Sequence, residues 1–279
     1  MYENKRIAIQ GIATSFHEVA AMKFFGDDIT SVECWTFVEL CEKLKNDEAD
    51  FAVMAIENTV AGSLLQNYGL LQEYKFHIIG EVYLRIEMML MALKGTALKD
   101  IHTVQSHPIA IRQCHQYLHN LPDVKLLEKE DTAACAKEIS DKQLTGYGAV
   151  ANAAAAPKFG LEIIAENIET NPNNFTRFVV LSKNEVKSEV HDKASLFFNL
   201  PHDPGSLAKV LQVFAAFEIN LTKIQSVPII GSPYKYNFHI DVIWESYQNF
   251  LDVLKEVTNY TVNLSVLGEY QKGEFKIKE

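Results

Sequence analysis

The chain has 279 residues, of which 48% are hydrophobic, and its formal net charge is −10 at pH 7. This length allows one large domain or two of ordinary size, and the apolar content supplies a core for either. The deficit of basic residues argues against a surface that binds nucleic acid or an anionic membrane. An anionic ligand would need a local basic pocket.

The sequence contains no recognisable signal for export or membrane insertion. Residues 1–6 lead directly into the strand-like segment 7–9 without an apolar leader, and no stretch is long enough to span a bilayer. The cysteines are Cys34, Cys41, Cys114 and Cys135. They lack C-x-x-C spacing, which indicates buried thiols and neither a zinc site nor a disulfide framework. A cytoplasmic protein is expected.

Strand-like runs alternate with helical patterns up to about residue 182, which predicts an α/β domain with a largely parallel sheet. The run 51–56 is continuously apolar and is typical of a central strand covered on both faces. It ends at Glu57, Asn58 and Thr59. Ligands gather at the carboxyl ends of strands in such sheets, so these residues are site candidates. An ordinary capping turn is the alternative interpretation.

A second α/β block begins near residue 88. Its strand ending at Ser106 is followed by Pro108, which suits the first turn of a helix. The small residues 151–156 predict a closely packed helix. Two such blocks followed by a long strand at 175–181 predict a cleft between two lobes, where small ligands usually bind.

The strand predicted at 175–181 carries a hydroxyl and a guanidinium side by side, in Thr176 and Arg177. Arg presents a planar fork of donors that matches carboxylates, and Thr offers a short donor that can be aimed at a reacting oxygen. The pair predicts an anion-binding site. Alone, it is also compatible with an edge or surface position.

The C-terminal third predicts a separate domain. Residues 183–193 are mostly charged or polar and indicate a linker. Beyond them, alternating and helical apolar periodicities follow one another in the order βαββαβ. This order predicts a ferredoxin-like domain at 194–268, followed by a tail at 269–279.

Five short stretches match the motifs of one family in the expected order. They are Ile56-Glu57-Asn58-Thr59-Val60-Ala61-Gly62-Ser63, Ser106-His107-Pro108, Gln113-Cys114, Glu166-Asn167-Ile168-Glu169 and Thr176-Arg177-Phe178. The chain resembles the monofunctional prephenate dehydratases. The resemblance implies a two-lobed, periplasmic-binding-protein-like catalytic domain at 1–182 and an ACT regulatory domain at 194–268. It also implies conversion of prephenate to phenylpyruvate, with loss of carbon dioxide and water, in L-phenylalanine biosynthesis and without a cofactor.

The resemblance also assigns residues to the reaction. The expected catalytic residues are Asn58, Ser106, Gln113 and Thr176. The expected substrate-binding residues are Arg177, Phe178, Thr59 and Gly62. Thr176 would donate to the departing oxygen, and Arg177 would clamp a carboxylate. The amide and hydroxyl groups of the other catalytic residues would orient the substrate.

One residue departs from the family pattern near the N-terminus. His17 occupies a position where relatives commonly have Ser. It could add a titratable donor near the cleft, since histidine changes charge close to neutral pH. An ordinary residue at a helix N-terminus is the favoured interpretation.

The expected residues for the effector L-phenylalanine are Gly205, Ser206, Leu207, Asn220, Leu221, Gln225 and Ser226. The family's Glu-Ser-Arg-Pro element appears here only as residues 225–228, with Gln and Val in place of the charged residues. Two charge-assisted partners are thereby lost, and altered feedback sensitivity is expected. ACT units commonly pair edge to edge, which implies a homodimer or a homotetramer.

Other functions compete with this interpretation. Arogenate dehydratase acts on an amino-acid relative of the same substrate, and a non-catalytic amino-acid sensor could share both domains. The complete catalytic set argues against the sensor. His115 and His119 have the spacing of metal ligands on a helix, but no third ligand accompanies them and no metal is expected. No chorismate mutase activity is expected, since no such segment precedes the first strand.

Overall fold

The computed structural model describes residues 4–186, 190–229 and 231–274. Contacts divide these residues into two compact units, of which the first comprises residues up to 64 and 82–178 and the second comprises 65–81 and 179–274. Residues 65–81, which lie inside the predicted domain 1–182, therefore pack with the C-terminal part. No described helix is both long and apolar enough to cross a membrane. Three residues of the predicted linker, 187–189, and the end of the predicted tail, 275–279, lie outside the described residues.

The first half of the chain alternates strands and helices. In order, its elements are β1 (Lys5–Gln10), α1 (Phe16–Phe25), β2 (Ile29–Cys34), α2 (Phe37–Lys45), β3 (Phe51–Asn58), β4 (Gly62–Ser63), α3 (Leu65–Tyr74), β5 (His77–Arg85) and β6 (Met89–Leu93). A 3₁₀ turn at Leu98–Asp100 precedes β7 (Thr103–Ser106), α4 (Pro108–Gln113), α5 (His115–His119) and β8 (Lys125–Glu128). The predicted start of a helix at Pro108 is confirmed.

The second half completes two sheets and forms a third. Its elements are α6 (Thr132–Asp141), β9 (Tyr147–Ala151), α7 (Ala155–Phe159), β10 (Leu161–Ala165), β11 (Phe175–Ser182), β12 (Lys193–Asn199), α8 (Ser206–Ala216), β13 (Asn220–Pro228), β14 (Tyr236–Ile243), α9 (Tyr247–Thr258) and β15 (Asn263–Tyr270). The predicted order βαββαβ from β12 to β15 is confirmed. β12 begins at the last residue of the predicted linker.

The first sheet has the strand order β2-β1-β3-β11-β5, with β4 paired to β3. β1 runs parallel to both β2 and β3. The apolar run predicted as a central strand is confirmed as the start of β3, whose residues 52–56 are all buried. β3 extends two residues further, to Asn58, so that a polar amide ends a buried strand.

The second sheet has the order β10-β6-β9-β7-β8 and is mixed. β7 runs parallel to β8 and β9, whereas β6 is antiparallel to β9 and β10. Helix α6 packs on this sheet through Cys135, Ala136 and Ile139. The predicted helix at 151–156 is wrong in its position, because Ala151 ends β9 and the helix begins only at Ala155.

The third sheet lies in the second unit and is antiparallel, with the order β13-β14-β12-β15. Its apolar core includes Val210 and Phe214 of α8 and Phe250 of α9. These residues occupy the helical faces that the apolar periodicity predicts. All four cysteines of the chain are buried free thiols, as predicted.

A buried ion pair lies within the second unit. The Nζ atom of Lys193 is 2.9 Å from both carboxylate oxygens of Glu81, and the two side chains are only 5% and 1% exposed. The backbone N–H of Gly273 donates to the same carboxylate. Because a buried charge is costly unless it is paired and hydrogen-bonded, these contacts fix the end of residues 65–81 against β12.

Replacing Lys193 by Met should lower the free energy of unfolding by about 3–5 kcal/mol, because Glu81 would keep a buried charge without its cation. Urea denaturation measures the change. The matched control is Lys142→Met, which breaks the exposed pair between Lys142 and Glu138 and should leave stability nearly unchanged. Equal effects of the two substitutions would contradict the special role of the buried pair.

Candidate functional site

A cavity of about 390 Å³ lies in the first unit. It is lined by the end of β3, by β11, and by the N-terminal ends of α1, α4 and α6. Its walls therefore come from elements that pack on both sheets of this unit. Asn58, Gln113, Thr176, Phe178 and Gly62, all predicted site residues, contribute to the lining.

Asn58 is the centre of a hydrogen-bond network in this cavity. Its Nδ2 donates to Thr176 Oγ1 at 2.9 Å and to Asn174 Oδ1 at 2.8 Å. Gln113 Nε2 lies 3.4 Å from Asn58 Oδ1. Three of the predicted catalytic residues are thus in contact: β3 and β11 are neighbours in the sheet, and Gln113 is the last residue of α4.

The turn after β3 fixes which way the Asn58 amide faces. The backbone N–H groups of Val60 and Ala61 donate to Asn58 Oδ1, at 2.9 and 2.7 Å. The oxygen of the amide is therefore committed to the turn, and its nitrogen must face Thr176. Because Thr176 Oγ1 accepts this bond, its own proton is available to a ligand in the cavity.

Three predicted site residues lie outside the cavity lining. Ser106 is fully buried, and its Oγ donates to Val150 O at 2.6 Å. Thr59 Oγ1 lies between the backbone groups of residues 173 and 175, donating to one and accepting from the other. Arg177 is buried on β11. Successive side chains of a strand point to opposite faces, so Arg177 lies on the other face from Thr176 and Phe178.

The cavity lining contains no Lys or Arg among the described residues, and its titratable side chains are His17, His107, Glu130 and Asp131. The expected basic pocket is therefore not what the structure shows. The positive end of a helix dipole lies at its N-terminus, and helix starts form part of the wall. An anionic ligand here would meet neutral donors and helix N-termini.

Asp131 is a cavity residue whose place in the sequence gives only a capping signal. Its Oδ1 accepts from Ala134 N at 2.7 Å and caps α6. Its other oxygen lies against Gly11, where an added Cβ would come within 2.7 Å of it. Gly11 also has φ +95°, so both the backbone and the close approach require glycine. Burial raises the pKa of the Asp131 carboxyl.

Of the two histidines with metal-ligand spacing, His115 has local partners. His115 and His119 are the two ends of α5. His115 Nδ1 lies 3.1 Å from Arg112 O and 3.3 Å from Thr170 Oγ1. Within the ranges that the structure describes, no group of three or more His, Cys, Asp or Glu side chains could hold a metal ion.

A second cavity, of about 590 Å³, lies in the second unit. Of the residues predicted to bind the effector, Ser206 and Leu207 line it, together with Asn199, Tyr236 and Asn263. The predicted effector residues of β13 do not line it. β13 is an edge strand, separated from β12 by β14, although its Ser226 pairs with Phe238, which does line the cavity.

Residues 7–186 match the family model of prephenate dehydratase. The chain belongs to the prephenate dehydratase family. It is 34% identical to a bifunctional chorismate mutase/prephenate dehydratase of Aquifex aeolicus, over 96% of this chain and 74% of that protein. It is 37% identical to arogenate dehydratase 2 of Petunia hybrida, over 95% of this chain and 71% of that protein.

Two solved structures share its fold at a TM-score of 0.86. One is a prephenate dehydratase from Arthrobacter aurescens in complex with L-Phe, 29% identical, and the match covers 95% of this chain and 89% of that one. The other is GqqA, described as a quorum quenching acylase, 28% identical, with 96% and 98% covered. The mixed α/β fold is thus that of solved prephenate dehydratases.

His17 is the prominent departure from the prephenate dehydratase pattern inside the cavity. It is the second residue of α1, which Ser15 caps, so the favoured interpretation as a helix N-terminal residue is right about its position. It also lines the cavity. Its Nε2 accepts from Ala55 N at 3.3 Å, and its ring meets Phe178 edge-on at 5.0 Å. Burial lowers the pKa of His17 to about 3.

His17 should make the folded protein lose stability as the pH falls from 7 to 5. The unfolded chain takes up a proton near pH 6.5, whereas the folded ring stays neutral until about pH 3. The unfolded state therefore binds more protons in this window, and the loss reaches about 2 kcal/mol at pH 5.

Denaturant titrations at pH 7 and pH 5 measure this loss. His17→Gln keeps an acceptor for Ala55 N but cannot titrate. Its loss of stability between pH 7 and pH 5 should therefore be smaller than the wild-type loss by about 2 kcal/mol. Equal losses in the two proteins would show that burial does not hold the His17 ring neutral.

Proposed function

We propose that this member of the family is a prephenate dehydratase, and that the cavity around Asn58 and Thr176 is its active site. The proposal rests on the hydrogen bonding of Thr176. Its oxygen accepts a hydrogen bond from the oriented Asn58 amide, which leaves the Thr176 proton to be donated to the hydroxyl group that leaves the substrate. A donor aimed at the oxygen on which negative charge develops is the strongest aid a site can give to such a step.

The reaction moves negative charge across the substrate ring. The bond from the ring to its carboxylate breaks, and its electron pair enters the ring. The carbon–oxygen bond on the opposite side then breaks, and the departing hydroxide takes up a proton and leaves as water. Thr176 is a weak acid, so it would polarise this oxygen by hydrogen bonding, and solvent would supply the proton.

Within the described ranges, the cavity lining has no Lys or Arg, which agrees with this direction of charge movement. A Lys or Arg beside the departing carboxylate would stabilise the substrate more than the transition state and would slow the reaction. Neutral donors and helix N-termini can hold the substrate without that cost. Arg177, the expected carboxylate clamp, lies outside the lining and is assigned no direct contact with substrate.

Replacing Thr176 by Val keeps the shape of the side chain and removes the hydroxyl. It should lower kcat by roughly 10²–10⁴-fold, the scale of a positioned proton donor. Thr176→Ser should retain most of the activity. Phenylpyruvate formation from prephenate measures the rate, and the same assay with arogenate tests the related substrate.

The matched control is Thr30→Val, at an exposed position of β2, which should leave kcat unchanged. Undiminished turnover by Thr176→Val would remove the proposed role of the hydroxyl. Absence of turnover by the wild type would overturn the proposed function itself.

We further propose that residues 194–268 form an ACT regulatory domain that binds L-phenylalanine in the second cavity. The βαββαβ order and the complex of the Arthrobacter aurescens enzyme with L-Phe support this proposal. The wall formed by Leu207, Tyr236 and Phe238 suits an aromatic ring, and Asn199 and Asn263 offer polar partners. Assembly as a homodimer or homotetramer, and a cytoplasmic location, stay predictions.

Filling the second cavity should abolish binding of the effector. Ser206 lies at the first position of α8 and lines the cavity, so Ser206→Phe would occupy it with a ring. Lys209→Phe adds the same bulk to an exposed position one turn later on α8, outside the lining. Calorimetric titration with L-phenylalanine should show binding to wild type and Lys209→Phe, and none to Ser206→Phe. Unchanged binding to Ser206→Phe would place the effector elsewhere.

A further inference from the structure

The ring of His17 has one nitrogen committed to the fold and one available to a ligand. Nε2 accepts the backbone N–H of Ala55 at 3.3 Å. A nitrogen that accepts a hydrogen bond carries no proton, so the proton of the neutral ring is on Nδ1. Nδ1 makes no hydrogen bond within the described part of the chain. It is also not one of the fully buried polar atoms that have no partner, so part of its surface is exposed. Since His17 lines the cavity, its Nδ1–H is accessible from there.

Two aromatic rings hold the imidazole in place. Phe178 meets it edge-on, with ring centroids 5.0 Å apart, and Phe37 lies against it at 5.6 Å. Together with the bond to Ala55, these contacts fix the direction of the Nδ1–H bond. A donor that is already oriented loses little entropy when it binds a ligand. Burial also keeps the ring neutral, so this proton stays on Nδ1 at neutral pH.

The geometry of β11 places His17 and Thr176 on the same side of this strand. Thr176 and Phe178 are two residues apart on this strand, so they lie on the same face and about 7 Å apart along it. His17 packs on Phe178. The imidazole and the hydroxyl that is proposed to meet the leaving group therefore lie on the same side of β11, and both line the cavity.

Prephenate carries its hydroxyl and its carboxylates on opposite ring carbons. Its hydroxyl is on one ring carbon, and the opposite ring carbon carries both the departing carboxylate and the pyruvyl side chain with the second carboxylate. A substrate whose hydroxyl lies at Thr176 would present its carboxylates to other parts of the cavity lining, to which His17 belongs. The pyruvyl carboxylate keeps its charge throughout the reaction, so a donor to it does not oppose decarboxylation.

We infer that His17 is a positioning and specificity residue that donates from Nδ1–H to the pyruvyl carboxylate of the substrate. This inference rests on the proposed dehydratase function. The bond is made equally in the ground state and in the transition state. Its loss therefore raises KM and leaves kcat nearly unchanged, which is the signature of uniform binding.

Two substitutions separate the two ring nitrogens of His17. The amide of Gln reaches the place of Nε2, so His17→Gln keeps the acceptor for Ala55 N and loses the donor to the substrate. The amide of Asn lies at the place of Nδ1, so His17→Asn keeps the donor and loses the acceptor. His17→Asn should be the less stable protein, because it loses the buried hydrogen bond from Ala55 N to His17 Nε2.

Steady-state kinetics with prephenate tests the inference, with circular dichroism as the check of folding. His17→Gln should raise KM by about tenfold or more, the scale of a hydrogen bond to a charged group, with kcat within about twofold of wild type. His17→Asn should keep KM within about threefold of wild type, since it retains the donor.

The other possible results decide against either the inference or the proposed function. A wild-type KM for His17→Gln would overturn the inference and leave the proposed function standing. Equal increases in KM for both variants would also overturn it, because they would assign the effect to the packing of the ring against Phe178. If His17→Asn does not fold, the comparison of His17→Gln with wild type still decides. A wild type without turnover would overturn the proposed function, and the inference with it.

Discussion

The proposed active site depends on the orientation of one amide. Two backbone N–H groups of the turn after β3 donate to Asn58 Oδ1, and this commits the Nδ2 of the same amide to Thr176. An amide turned the other way would place an oxygen against Thr176 and would take up the proton that the proposed chemistry requires. The backbone of a short turn therefore sets the donor direction of a side chain on a neighbouring strand.

In the proposed active site, neutral donors bind the charged groups of the substrate. A chain with a net charge of −10 encloses a cavity whose lining contains no Lys or Arg in the described ranges. Its donors are amides, a hydroxyl, helix starts and the neutral ring of His17. These groups can hold the ring carboxylate, which must lose its charge during the reaction, whereas a full positive charge would hold it too tightly. Neutrality of the donors is thus part of the proposed mechanism.

The two units differ in how their buried polar side chains are hydrogen-bonded. In the first, the Asn58 amide bonds to Thr176 and Asn174, while the Thr176 proton, the His17 Nδ1–H and the buried Asn174 Nδ2 have no partner among the described residues. In the second, Glu81 and Lys193 satisfy each other at 2.9 Å in a nearly solvent-free position. The first arrangement leaves hydrogen-bonding capacity for chemistry, while the second uses all of it to fix residues 65–81 against β12.

The sequence by itself determined the alternation of strands and helices, the central apolar strand, the βαββαβ order and the family. Each of these follows from periodicity or from motif order, which are local properties of the chain. It also identified Asn58, Gln113 and Thr176 as site candidates, Asn58 from its place at the end of an apolar strand and all three from the family's motifs.

Only the tertiary structure decided which candidates meet in one cavity. The sequence could not exclude Arg177, since the face on which a strand residue lies depends on what covers each face of the sheet. It could not find Asp131, whose capping signal hides its place in the cavity wall, nor could it settle the role of His17. These assignments depend on contacts such as the one between His17 and Ala55, which are 38 residues apart, and pairings over such separations leave no periodic signal in the chain.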